Sequence, residues 1–186
     1  MADITAANVV LGTADLYIAD TSATLPVDAT TALAVDFRNM GATTDGVTVT
    51  FAPEYANIEV DQVPGSVGAR LQSLEVTIST NLAETTLENL RAALSLGDIT
   101  STAGTDRFDL LPTNGGEPNY QTLVIDGFGP TGKRVRLIAP KVLSTDEVET
   151  VFSKEDTRVF SVTFTAYYVD AETPQVSWLY ETVVTP

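Results

Sequence analysis

Apolar and polar residues alternate with period two along several stretches of this chain. In Asn57–Val63, Ile58 and Val60 alternate with Glu59 and Asp61, and in Leu74–Ser79, Leu74, Val76 and Ile78 oppose Glu75, Thr77 and Ser79. The longest run is Val159–Val169, with Phe160, Val162, Phe164, Ala166 and Tyr168 on one side and Ser161, Thr163 and Thr165 on the other. Successive side chains of a strand point to opposite faces. Each run therefore predicts an apolar row on a core and a polar row toward solvent or a partner. Further strands are expected at Ala14–Ala19, Val47–Ala52, Tyr120–Asp126, Val135–Val142 and Ser177–Val184. The expected class is mainly β.

One segment departs from this rhythm. Thr85-Thr86-Leu87-Glu88 has the S/T-x-x-E form of a capping box, and Leu87, Leu90 and Leu94 recur at helical spacing. Gly97 stands where a helix can stop in a left-handed residue. The spacing predicts one amphipathic helix over residues 86–96, with its leucine stripe against the sheet. Sheet on sheet with one flanking helix makes an ordinary small domain. Asp45-Gly46 reads as a tight turn between apolar runs; Val63–Ala69 and Leu111–Asn119 read as loops, and Thr21–Val35 as an extended connection. No composition shift splits the 186 residues, so a single domain is expected.

Composition narrows the chemistry. The chain has no cysteine and no histidine, which removes disulfide scaffolds, thiolate metal sites, Cys nucleophiles and imidazole-dependent triads. With 25 acids against 10 bases the formal charge is −15, and residues 1–69 contain a single base, Arg38. A surface of that sign repels phosphate backbones, so tight nucleic-acid binding is not expected. No apolar stretch is long enough to span a membrane. Met1-Ala-Asp-Ile-Thr lacks the basic and apolar regions of a signal peptide, so the expectation is a protein made and used in a cytoplasm, or one that leaves it without a signal of this kind.

Candidate chemical motifs are few. Gly127-Phe-Gly-Pro-Thr-Gly-Lys133-Arg134 approaches a phosphate loop, but Arg134 stands where the hydroxyl residue belongs and Pro140 interrupts any following helix. A hairpin tip between antiparallel strands accounts for every residue. Asp146, Glu147 and Glu149 lack the spacing of a calcium loop, and no G-x-S-x-G setting accompanies any serine. Tyr167, Tyr168 and Trp178 suit core or interface anchors. No catalytic residue, metal ligand or cofactor is expected.

From Leu25 to Gly97 the chain resembles the tail tube (major tail) proteins of long-tailed bacteriophages. The resemblance lies in Leu25-Pro-Val-Asp28, Phe37-Arg-Asn-Met-Gly41, Asp45-Gly46-Val47, Leu74-Glu-Val-Thr-Ile78 and Leu82-Ala-Glu-Thr-Thr-Leu-Glu-Asn-Leu90, in that order, ending in Ala92-Ala93-Leu94. Ala42 departs from the family, which often has Tyr there. The resemblance implies a β-sandwich with one flanking helix. Copies would form homo-hexameric rings stacked into a tube, their sheets joining across subunits into an inner barrel. Double-stranded DNA would pass only transiently through the lumen. It also implies extended terminal arms, tape-measure, tail-tip and terminator proteins as partners, and assembly in the bacterial host cytoplasm into the virion tail.

On that reading the polar rows supply candidate lumen-facing residues: Glu59, Asp61, Glu75, Thr77, Ser79, Ser161, Thr163 and Thr165. The matching inter-ring loop falls at residues 41–69, with Thr44, Asp45, Glu54, Tyr55, Pro64, Ser66 and the adjacent Arg70 as candidate contacts. A capsid decoration protein, or a monomeric β-sandwich that binds a carbohydrate or protein, are the alternatives at this stage.

Overall fold

The computed structural model describes residues 12–110, 117–148 and 159–182. It is mainly β with one short helix. The strands are β1 (Asp15–Asp20), β2 (Arg38–Asn39), β3 (Thr43–Glu59), β4 (Ser66–Leu82), β5 (Asp98–Thr102), β6 (Thr105–Asp109), β7 (Gln121–Phe128), β8 (Arg134–Ser144), β9 (Phe160–Ala166) and β10 (Ser177–Tyr180). The helix α1 is Leu87–Leu94. Eight strands join in the order β2-β1-β7-β8-β9-β4-β3, with β10 also on β8, while β5 and β6 form a separate hairpin.

The large sheet turns a corner in β8. Residues 134–142 of this strand pair with β7, but only Val142, Leu143 and Ser144 pair with β9. A register shift separates the Gln121–Val142 and Leu123–Ala139 pairs, and buried Pro140 lies within it, its carbonyl accepting from Thr122 Oγ1 at 2.9 Å. Proline is tolerated inside a sheet at such irregularities, which bend the strand. The two halves then face each other. Phe51 of β3 and Trp178 of β10 have ring centroids 6.4 Å apart, although their strands belong to different halves. Between the halves lies the main core, which includes Leu16, Ile18, Ile78, Leu123, Leu137, Phe160, Val162 and Phe164.

A second core covers the other face of the β7–β8 half. Val124 and Ile138 pack with Ala19, Ala23 and Phe37, and Leu25, Leu33 and Ala34 lie against them. Residues 21–37 are therefore a strap over a sheet buried on both sides. That double burial explains why Leu123–Ile125 and Leu137–Ala139 are continuous apolar runs rather than alternating ones. Arg136 fixes the strap. Its side chain is 1% exposed and grips Asp126 through Nε (2.5 Å) and Nη2 (2.7 Å), while Nη1 donates to the carbonyls of Asp28 (3.0 Å) and Thr31 (2.9 Å). The hydrogen bonds to Asp126 raise the arginine pKa against the cost of burial. Asp28 accepts from the Thr31 hydroxyl and from the amides of Thr31 and Thr30, and these bonds hold its carboxyl well below the usual range.

Several expectations need correction. The helix is one residue shorter at its start and two at its end than 86–96: Thr86, not Thr85, caps it by accepting from Asn89 N, and Ser95 rather than Gly97 supplies the first left-handed residue (φ 50°). Its fully buried residues are Asn89, Ala92 and Ala93, with the leucines only partly buried. Two alanines let the helix approach closely. Asn89 ties it down through Met40 O and Glu84 O (both 2.8 Å) and the Arg38 guanidinium (2.7 Å). Asp45-Gly46 is not a hairpin turn but a bulge inside β3, both residues having positive φ. Ile58 and Val60 meet no core, being 48% and 40% exposed, and Tyr168 lies beyond the end of β9 at 66% exposure. Ser66–Ala69, read as loop, begins β4, and the β5–β6 hairpin was not anticipated. Glu149, the terminal arms and most of the Leu111–Asn119 loop lie outside the described residues.

Candidate assembly surfaces

Cross-strand register assembles a polar wall. Thr77 pairs with Thr165, Ser79 with Thr163 and Asn81 with Ser161, while Thr48 and Thr50 of β3 pair with Ser79 and Thr77. Paired residues share a face, so the face opposite the main core carries a band of hydroxyls across three strands. The band is internally bonded: Ser79 Oγ lies 3.3 Å from Thr163 Oγ1, Ser161 Oγ donates to Asn81 Oδ1 at 2.8 Å, and Thr145 Oγ1 lies 3.1 Å from Thr165 Oγ1. Neither β3 nor β9 contains a Lys or Arg, and β4 contains only Arg70. Six of the eight sequence-derived lumen candidates, Glu75, Thr77, Ser79, Ser161, Thr163 and Thr165, come together on or beside this wall. Glu59 and Asp61 do not; they lie at the far end of β3 and in the turn after it.

The second surface is the β3–β4 hairpin, continuous where a loop was expected. Its two strands pair from Thr43–Leu82 out to Glu59–Ser66, but β9 covers β4 only from Thr77 onward. Beyond Phe51 and Val76 it runs as a free two-stranded ribbon. Eight residues of β3 past Phe51, at about 3.3 Å each, carry it roughly 26 Å from the body. Phe51, Pro53 and Tyr55 pair with Val76, Leu74 and Leu71, so the apolar face continues outward without a partner layer. Phe51, Tyr55, Leu71 and Leu74 are 47%, 62%, 50% and 40% exposed. At its root this face meets Trp178, which stacks on Tyr180 at 6.3 Å. On the opposite face Ser73 donates to Glu54 at 2.8 Å.

All seven residues assigned to the inter-ring loop lie on this hairpin or its closing turn. Thr44 and Asp45 sit at its root, where Asp45 Oδ2 accepts from Asn81 beside the hydroxyl wall; Glu54, Tyr55, Pro64, Ser66 and Arg70 lie on the projecting part. Sequence reading missed Phe51, Leu71 and Leu74 as surface residues, because alternation marks an apolar face without saying whether anything covers it. Trp178, read as core or interface anchor, is 49% exposed and so suits an interface.

The turn of Pro130–Gly132 joins antiparallel β7 and β8, so the Gly127–Arg134 motif is a hairpin tip. Among the described residues no group of three or more acidic side chains is placed to hold a metal ion, and no helix is long and apolar enough to cross a membrane.

The described residues thus present a hydroxyl-lined sheet face, an uncovered apolar face on a paired ribbon, and a core closed by a strap. A family model described as phage tail tube protein matches residues 1–186, the whole chain, and the chain belongs to that family. This makes it a structural component of a virion tail and points away from enzymatic activity. A search of curated proteins found no match.

Proposed function

We propose that copies of this chain close into hexameric rings, that the rings stack into a tube, and that the hydroxyl wall faces the lumen through which DNA is delivered. The observation that carries the reading is the wall: Thr77, Ser79, Ser161, Thr163 and Thr165 form a hydroxyl-lined surface, and among the described residues no Lys or Arg lies on these stretches of β4 and β9. Phosphate contacts from Lys and Arg give nucleic-acid binding its affinity, and each adds to retention. A conduit works best without them. Glu75 at the wall's outer end adds like charge. Free strand edges support ring closure, since pairing across copies satisfies the outer edge of β3. The projecting ribbon supports contact with a neighbouring ring, because an isolated two-stranded hairpin with an apolar face is stable only when covered.

The partners on this reading are further copies of the chain and the tape-measure, tip and terminator components of the tail, with assembly in the host cytoplasm. The chain has no cysteine, so Thr163→Cys supplies a single label site. A bulky maleimide should modify the free subunit and fail to modify the tube. Equal labelling in both states would place the wall outside.

A further inference from the structure

Asp-Gly occurs at residues 45–46 and again at residues 126–127. Aspartate followed by glycine is open to isomerisation, because glycine has no Cβ to crowd the approach of its nitrogen to the aspartate side chain. The two sites are alike in sequence and opposite in setting. Asp126 lies inside the large sheet, paired with Asp15 of β1 on one side and Arg136 of β8 on the other, and Gly127 pairs with Val135. Both Asp126 carboxylate oxygens accept from the Arg136 guanidinium, at 2.5 and 2.7 Å, and the side chain is 21% exposed. Turning it onto the next amide would break a charge-assisted fork and disturb two ladders.

Asp45 and Gly46 are held far less. They lie in β3, the outermost strand, where the register passes from the Thr44–Asn81 pair to the Val47–Thr80 pair and leaves both without a cross-strand partner. A bulge of this kind releases the main chain from the ladder. Both residues are exposed, and a Cβ placed on Gly46 would meet nothing within 4 Å. A neutral amide restrains the carboxylate, Asn81 Nδ2 donating to Asp45 Oδ2 at 3.1 Å. Thr80 Oγ1 fixes the far side of Gly46 by donating to its carbonyl at 2.9 Å, so the peptide between residues 45 and 46 is the part left to turn. We propose that Asp45 is a site of spontaneous isoaspartate formation, and that the fold protects Asp126 from the same reaction. The Gly46 nitrogen attacks Asp45 Cγ and the new N–C bond closes a five-membered succinimide. One carboxyl oxygen leaves as water, carrying the carboxyl proton and the amide proton. Water then opens the ring. Attack at Cγ restores aspartate; attack at the main-chain carbonyl carbon of residue 45 routes the chain through the side chain and leaves a carboxylate on Cα. One water leaves and one returns, so no other reactant is needed. The product keeps its negative charge, adds one carbon to the main chain at the root of the ribbon, and shortens the arm that Asn81 holds.

The test holds the folded full-length protein in heavy-oxygen water for weeks, well below its melting temperature, and then digests it in ordinary water. Trypsin cuts after Arg38 and Arg70 and releases Asn39–Arg70, and fragmentation spectra locate the heavy oxygen and the isoaspartyl link. Methyl transfer from S-adenosylmethionine by an isoaspartyl methyltransferase counts the product independently. Asp45 should take up label at least about tenfold faster than Asp126, a difference that each site's freedom to reach the attacking geometry sets. In urea, where the fold holds neither site, the two rates should converge. Asp45→Glu, which would have to close a six-membered ring, should lose the label at residue 45 while a melting curve confirms that it is folded. Equal labelling of Asp45 and Asp126 in the folded protein, label at neither, or label persisting at residue 45 in Asp45→Glu overturns the site. A difference that persists unchanged in urea overturns the protection of Asp126 by the fold.

Discussion

Replacing Arg136 with alanine tests how the fold is held. Four hydrogen bonds leave this one buried side chain, two to Asp126 and two to the carbonyls of Asp28 and Thr31. Removal leaves the Asp126 carboxylate, only 21% exposed, without its counter-charge, and it releases the strap from the second core. Breaking a buried pair from one side typically costs about 3–5 kcal/mol, far more than the pair's net worth, because the surviving charge stays desolvated. The strap carbonyls can turn to water and add little. For a domain of this size each kcal/mol lowers Tm by about 2–4 °C, so the expected fall is roughly 6–20 °C. Circular dichroism melts give the shift, and limited proteolysis should cut first within residues 21–37. The double variant Arg136→Met, Asp126→Leu should recover much of the loss, since it buries no lone charge. An Arg136→Ala melt within 2 °C of wild type, with the strap still protected, would refute the clamp.

Other predictions follow from the same structure. Asp28 carries a depressed pKa, so its contribution is present above the unfolded carboxylate value near 4 and fades as pH falls toward the folded one. Urea titrations of Asp28→Asn should accordingly lose part of the wild type's fall in stability at acid pH. Thr86→Ala should cost about 0.5–2 kcal/mol through loss of the N-cap bond to Asn89, measured by the same titrations. Gly97→Ala should destabilise by about 1–3 kcal/mol, because Gly97 has φ +84° and a Cβ there would lie 2.7 Å from the Asp109 carbonyl oxygen. Thr77→Lys with Thr163→Lys should leave the isolated subunit's melt almost unchanged while giving that free subunit a salt-dependent DNA binding in filter-binding assays that the wild type lacks and that assembly into the tube hides.

The sequence carried the strands well because alternation is a local signal. Phe160, Val162 and Phe164 all lie in the core, and Ser161, Thr163 and Thr165 all lie on the opposite face. It carried the hydroxyl wall for the same reason, since register then needs only the pairing of β4 with β9. Long-range arrangement was hidden. Nothing in Thr21–Val35 marks it as a cover, because its order depends on Arg136, about a hundred residues away. The ribbon was misread in part because Ile58 and Val60 look the same whether an apolar face meets its own core or a neighbour's. The helix face was misjudged because leucines dominate a periodicity count, while Asn89 and two alanines make the closest contact. Asp45-Gly46 fits a hairpin turn and a bulge equally well by composition, and only the pairing of Thr44 with Asn81 and Val47 with Thr80 decides.

A cryo-electron density map of the assembled tube would show directly which way the hydroxyl wall faces. Six subunits per ring are expected, with Thr77, Ser79, Thr163 and Thr165 pointing into the lumen and the β3–β4 ribbon reaching a neighbouring subunit. A map that places those four side chains on the outer surface would contradict it.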